Sequence, residues 1–529
     1  MANSKVFNIL SVIILITFSV FSIGCGGGGG GGGVTGASTD LNPTSVIAPG
    51  TVVLANDNDV YTYKSQPAAN IAINIPVNNE AVKFAMVVTN PNNSSQKVRL
   101  APESYVLGKV APSVRAGSQV QPSEYSQLLM NQAPLETILR QQARQNFANM
   151  NFRANRSIRA SDHSGETVGD IVVMRVVNDT FGLTYVSRNC KLERISAHCK
   201  IFVDQDTYNG LSAVTGVDAV TTADLIHFEN EFETHIFNLM TGSYADFYDI
   251  DKDGRVSILI SPVYAKLNFA GLFNSNDFAD NPNSNQRDLI GIFSPYSAKN
   301  WSGERWREAS RETICHEMQH LVNYSAHFYF NGVNQMEDEW LDESLSVGAE
   351  ARYRLLRGSP IMENRFSLWA NSPSSVGLLN FSRALSQYGM VGLFNFFLYE
   401  QSDSSTIKSM VNSTQLGIAN VNNLFINRDG MNGMFRDWAM AALLDSLRAN
   451  NQIDISGINA GYRYKTNLGL DIEYTSVNYG YSTSEVILPA YGAAFYVINQ
   501  PSGFDNSEYR FRVESESGKN VDILMVRLP

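Results

Sequence analysis

Glu312-Thr313-Ile314-Cys315-His316-Glu317-Met318-Gln319-His320-Leu321-Val322 is the stretch from which the fold can be read. Ile314, Met318, Leu321 and Val322 recur at helical spacing and form an apolar face. His316 and His320 stand at i and i+4, one above the other on a neighbouring face. Two imidazoles so placed reach one tetrahedral metal, and Glu317, about 100° round the helix, reaches a water beside it. Zinc is the default metal for two histidines and a carboxylate.

A third ligand must come from elsewhere, leaving one position open. The metzincin place for it, six residues after the second histidine, holds Ala326, with Asn323 at the glycine position and His327 one residue out of step. Glu339-Trp340-Leu341-Asp342-Glu343-Ser344-Leu345-Ser346 begins a second helix, with Trp340, Leu341, Leu345 and Ala349 disposed to pack inward. The chain from His320 to Glu343 is long enough to turn and run back antiparallel. Glu343 is therefore the expected third ligand, with Asp342 and Glu350 as alternatives.

His-Glu-Met-Gln-His followed by Trp-Leu-Asp-Glu-Ser resembles the gluzincin metallopeptidases, and most nearly the hyicolysin-type family of secreted bacterial enzymes. The resemblance covers roughly residues 165–450 and implies an α+β, zincin-like catalytic domain: a mixed sheet, an active-site helix and a mainly helical C-terminal lobe. It implies zinc held by His316, His320 and Glu343, with Glu317 as general base. Asp342 replaces the more usual Asn and Ser344 the more usual Gly. Tyr388, at the start of an apolar helix, is a candidate oxyanion donor by the same resemblance. The implied reaction is peptide-bond hydrolysis by a zinc-activated water, whose proton Glu317 accepts and passes to the leaving amine. The run Asp288–Phe293 is expected to be an edge strand that binds extended peptide.

Around this centre the chain divides by pattern. Residues 51–122 show short alternating strands and turns, read as an N-terminal β-domain. Residues 123–164 read as a helix followed by an Arg-rich linker, and 165–455 as the catalytic region. Residues 456–529 return to strands, read as a C-terminal β-domain. Cys190 and Cys199 lie across an expected hairpin, and in an exported protein they are expected to form a disulfide. Asp249, Asp251 and Asp253, with Gly254, resemble the first half of an EF-hand loop. The twelfth position is Ile260, so a full EF-hand is excluded; a partial calcium site and an Asx-rich turn both fit.

Residues 9–21 are an unbroken apolar run after Lys5, too short for a membrane span and suited to an export signal over 1–24. Cys25 follows Ile-Gly as in a relaxed bacterial lipobox, and Gly26–Gly33 then reads as a tether within 25–50. The expectation is an exported protein, lipid-anchored at the bacterial envelope or shed from it. The chain has 529 residues, is 44% hydrophobic and carries a net charge of −11, which excludes global disorder and a whole-protein basic footprint for nucleic acid. A zinc metalloendopeptidase acting on protein or peptide substrates is the leading reading. The rival is a surface lipoprotein that binds partners on a protease-like scaffold, for which an intact Glu317 has no purpose.

Overall fold

Six strands, numbered here along the chain, form the sheet that carries the centre: β1 Ile171–Val177, β2 Tyr185–Ile195, β3 Cys199–Asp204, β4 Val256–Ser261, β5 Gly271–Phe273 and β6 Leu289–Phe293. Their order is β5-β6-β4-β3-β2-β1. The computed structural model describes residues 47–529 except 52–53, 55, 65–69, 77–80, 103–111, 150–161, 180–183, 334, 451, 479–480 and 501–507. The export signal, Cys25 and the glycine tether lie outside the described residues. Among the described residues, no helix is long and apolar enough to cross a membrane.

β3, β4 and β6 run parallel and are buried along their whole length, as an apolar run such as Leu289–Phe293 requires. β5 is antiparallel to β6 and forms the edge. The run Asp288–Phe293, expected as an edge strand, is thus second in the sheet, as Leu289–Phe293, with the three-residue β5 outside it. So short a strand leaves little periodicity to detect.

Helices α1 Glu124–Asn149, α2 Gly303–Ser325, α3 Glu339–Leu356, α4 Asn364–Ala370, α5 Leu385–Gln401 and α6 Gly430–Ala449 supply most of the remaining body. α2 packs on β5 and β6 and against α3; α3 packs on α5, which also carries α4. Every residue of α3 from Trp340 to Arg354 is buried, so its polar side chains must be satisfied inside the protein. The protein is α+β, with the helical lobe following the sheet.

The strands at the two chain ends pair with one another. In one sheet Glu508–Ser515 lies between Asn70–Pro76 and Gln96–Pro102. In the other, Val82–Thr89 lies between Asp522–Leu528 and Ala493–Gln500. Phe84, Met86 and Val88 face a core between these two sheets, while Ala85 and Val87 join the main core beneath α6. The period of two therefore separates two cores rather than core from water.

Cys190, Cys199 and Cys315 are buried free thiols, so the expected Cys190–Cys199 disulfide is corrected. The hairpin is present, but its register sets Cys190 opposite Asp204. Cys199 is five residues from that position along β3, or about 17 Å at ~3.4 Å per residue. A disulfide needs Cα atoms closer than about 7 Å.

Ending the chain after residue 471 removes both neighbours of Val82–Thr89. The truncated protein is expected to lose soluble yield and to expose 47–122 to limited proteolysis, read by mass spectrometry.

Candidate active site

α2 brings His316 and His320 onto one face with their Nε2 atoms 3.1 Å apart. α3 returns beside it and presents Glu343, whose Oε2 lies 3.5 Å from His316 Nε2 and 3.7 Å from His320 Nε2. That oxygen is buried and has no hydrogen-bond partner. Ligand bonds of about 2.0–2.1 Å at tetrahedral angles set donor atoms roughly 3.3–3.4 Å apart. The three atoms thus fit a zinc ion, and an otherwise orphaned carboxylate oxygen is accounted for.

Each donor is held from behind. His316 Nδ1 lies 2.7 Å from Glu350 Oε1, and Glu350 is paired with the fully buried Arg365 at 2.5 Å. His320 Nδ1 lies 3.3 Å from Asp342 Oδ1, and Asp342 is in turn held by Arg140 of α1 and by Asn323. The two alternatives to Glu343 therefore occupy the outer imidazole nitrogens, where carboxylates orient ligating histidines. Burial lowers the His316 pKa, but the adjacent Glu343 and Glu350 carboxylates outweigh it and raise it to about 10. Burial also opposes the rise at His320, which Asp342 and then Glu343 drive. His327 shifts the other way: burial lowers its pKa, and it sits in a π-helical turn with Nε2 3.9 Å from Glu337.

Glu317 is buried beside the pair. Its Oε2 accepts a hydrogen bond from the Phe273 backbone N–H of β5 at 2.7 Å, which fixes the carboxylate against the edge strand. This approach needs Gly271: a Cβ there would meet Thr313 Cγ2 at 2.4 Å and the Gly291 carbonyl oxygen at 2.5 Å. The centre opens into a cleft of about 580 Å³ whose lining includes Leu272, Phe273, Glu317, His320, Glu343 and Arg383.

Tyr388 stands behind Arg383, which donates to its hydroxyl at 3.2 Å. The same Arg383 Nη1 lies 3.0 Å from Glu343 Oε1, so Arg383, not Tyr388, is next to the ligand set. Arg383 Nη2 is buried without a partner, and the residue sits at φ 60°, an unusual backbone for arginine. No motif marks Arg383; its φ and its unpartnered Nη2 become informative only in the fold.

Sequence reasoning also missed Gln132. Its Oε1 accepts from the Gly271 N–H at 3.3 Å, and its Nε2 donates to Glu317 Oε1 at 3.3 Å. Its carboxamide thus lies between the outer edge of β5 and Glu317. Glu136, one turn on, meets Arg383. Nothing in the pattern of 123–152 signals that this helix crosses the cleft.

No family model matches the chain. Over 242 residues it is 25% identical to the neutral metalloprotease ShpI of Staphylococcus hyicus, covering 43% of this chain and 53% of that protein. The chain thus spans about half the length of that relative. Two solved structures of an M1 zinc metallopeptidase from Deinococcus radiodurans, one unmodified and one a mutant, are also similar. They show 10% and 9% identity and TM-scores of 0.26 and 0.25, covering 72% and 70% of this chain and 64% and 62% of theirs.

Metal analysis of dialysed protein is expected to find about one zinc per chain, lost in Glu343→Ala. Glu350→Gln should retain zinc but bind it about 10–100-fold more weakly, measured by chelator competition.

Proposed function

We propose that the chain is a zinc metalloendopeptidase of the gluzincin type, with His316, His320 and Glu343 as zinc ligands and Glu317 as general base. The observation that carries this reading is the convergence of three donor atoms, one of them a partnerless buried oxygen, beside a carboxylate anchored to a sheet edge. Similarity to ShpI, a neutral metalloprotease by name, supports the same class. A binding scaffold would not require Glu317 to be held in this way.

The edge strand supplies the substrate track. Gly271 directs its N–H away from β6, and an extended peptide can add there as a further strand while the Phe273 N–H stays with Glu317. Zinc, when bound, supplies Lewis-acid polarisation of the scissile carbonyl and makes water more acidic. Glu317 takes the attacking water's proton and returns it to the leaving nitrogen. Arg383 Nη2, charged and otherwise unpartnered, is placed to accept the developing negative charge on the carbonyl oxygen. That role passes to Arg383 from Tyr388, which acts by positioning Arg383.

In this arrangement Gln132 occupies the peptide's place: its C=O takes a strand N–H and its NH₂ faces the general base. Substrate entry therefore requires α1 to withdraw from the cleft. Export and lipid attachment at Cys25 belong to the same proposal and rest on residues 9–25. The substrates are proteins or peptides met outside the cytoplasm.

Glu317→Gln is expected to keep its zinc while peptide hydrolysis falls by about 10²–10⁴-fold, the usual worth of a general base. Equal cleavage by both proteins would remove Glu317 from this role. Gln132→Leu should raise kcat/KM on a short peptide by roughly tenfold, since two hydrogen bonds at ~0.5–1.5 kcal/mol each no longer compete.

A further inference from the structure

Asp249 and Asp251 belong to the loop before β4, and Asp288 immediately precedes β6. One carboxylate oxygen from each lies within 4.8 Å of the others. Asp251 and Asp288 are fully buried, and none of their four carboxylate oxygens has a hydrogen-bond partner. Burying two carboxylates without compensation costs several kcal/mol each, so a cation is required or the charge must be lost.

Among the described residues, the neighbouring cations do not meet that need. Lys200 is committed to Asp253 at 2.6 Å and to Glu166 at 2.9 Å. Arg287 is paired with Glu166, and its Nη1 stays 3.7 Å from Asp251. Five carboxylates, at Asp249, Asp251, Asp253, Asp288 and Glu166, thus share two fixed positive charges. Asp253 is turned away to Lys200, so the expected set of Asp249, Asp251 and Asp253 is corrected at its third member. Asp288, distant in sequence, takes that place.

We propose that Asp249, Asp251 and Asp288 bind a calcium ion that clasps the starts of β4 and β6. An all-oxygen donor set selects a hard cation, and an irregular loop with Lys252 and Gly254 at positive φ suits calcium's flexible coordination better than magnesium's strict octahedron. The two strands it joins are adjacent and parallel, with Ser257 opposite Leu289. β6 in turn carries β5, where Phe273 pairs with Ile290 and anchors Glu317. The ion therefore secures the end of the sheet on which the general base rests. This inference stands on its own residues and does not depend on the peptidase reading.

The test uses the full zinc-loaded chain after removal of calcium with EGTA. Equilibrium dialysis with ⁴⁵Ca²⁺ is expected to find about one ion per chain, competed poorly by Mg²⁺. Asp288→Asn should weaken binding at least about tenfold with zinc content unchanged, whereas Asp253→Asn should retain the ion. Should Asp288→Asn not fold, the unmodified protein decides: EGTA should lower its unfolding temperature by several degrees, and added Ca²⁺ should restore it. Absence of binding at 1 mM Ca²⁺, equal binding of Mg²⁺, or full binding by a folded Asp288→Asn protein would overturn the proposal.

Discussion

A single oxygen, Glu343 Oε2, organises the centre. It is buried, lacks a hydrogen bond and faces two imidazole nitrogens at 3.5 and 3.7 Å. A carboxylate in a dry interior is costly unless something positive meets it. The surrounding charges are already engaged with other groups. Arg365 answers Glu350, Arg140 answers Asp342, and Arg383 takes the other oxygen of Glu343. The arrangement leaves one electron-rich point among three converging donors, which is what a divalent cation satisfies.

How much of this was legible depends on distance along the chain. His316, Glu317 and His320 are within one helical turn or so, and i,i+4 spacing alone places them. Glu343 required only that the next amphipathic helix return against the first, a local inference that its inward-packing apolar residues support. Asp342 and Glu350 were seen as ligand substitutes; three-dimensional geometry gives them the opposite sides of the same rings. Gln132, Arg383 and Asp288 were not legible, because each acts through an approach between segments that share no periodicity. The misread disulfide has the same origin. A hairpin can be expected from pattern, but its register decides which residues meet, and a few positions of slip separates two thiols by more than a bond can bridge.

The two metal-binding proposals concern one sheet from two sides. The edge strand β5 touches Glu317, its neighbour β6 begins just after Asp288, and β4 follows the aspartate loop. Rigid elements rather than loops thus position the Glu317 carboxylate, which is the usual condition for holding reacting groups within a fraction of an ångström. The one irregular contribution is Arg383, whose strained backbone aims a spare guanidinium nitrogen from the segment before α5.

The pairing of the chain's two ends has a kinetic consequence. The Thr89 hydroxyl meets the Asp522 carbonyl oxygen, 433 positions further along the chain. Val82–Thr89 must therefore wait, with both margins bare, until Ala493–Gln500 and Asp522–Leu528 have been synthesised. Topology of this kind slows folding and lengthens exposure to aggregation. It also makes the strands from Ala493 onward a completion signal: a body whose early strands stay unpaired until those residues arrive cannot mature before them, an ordering in time rather than in space.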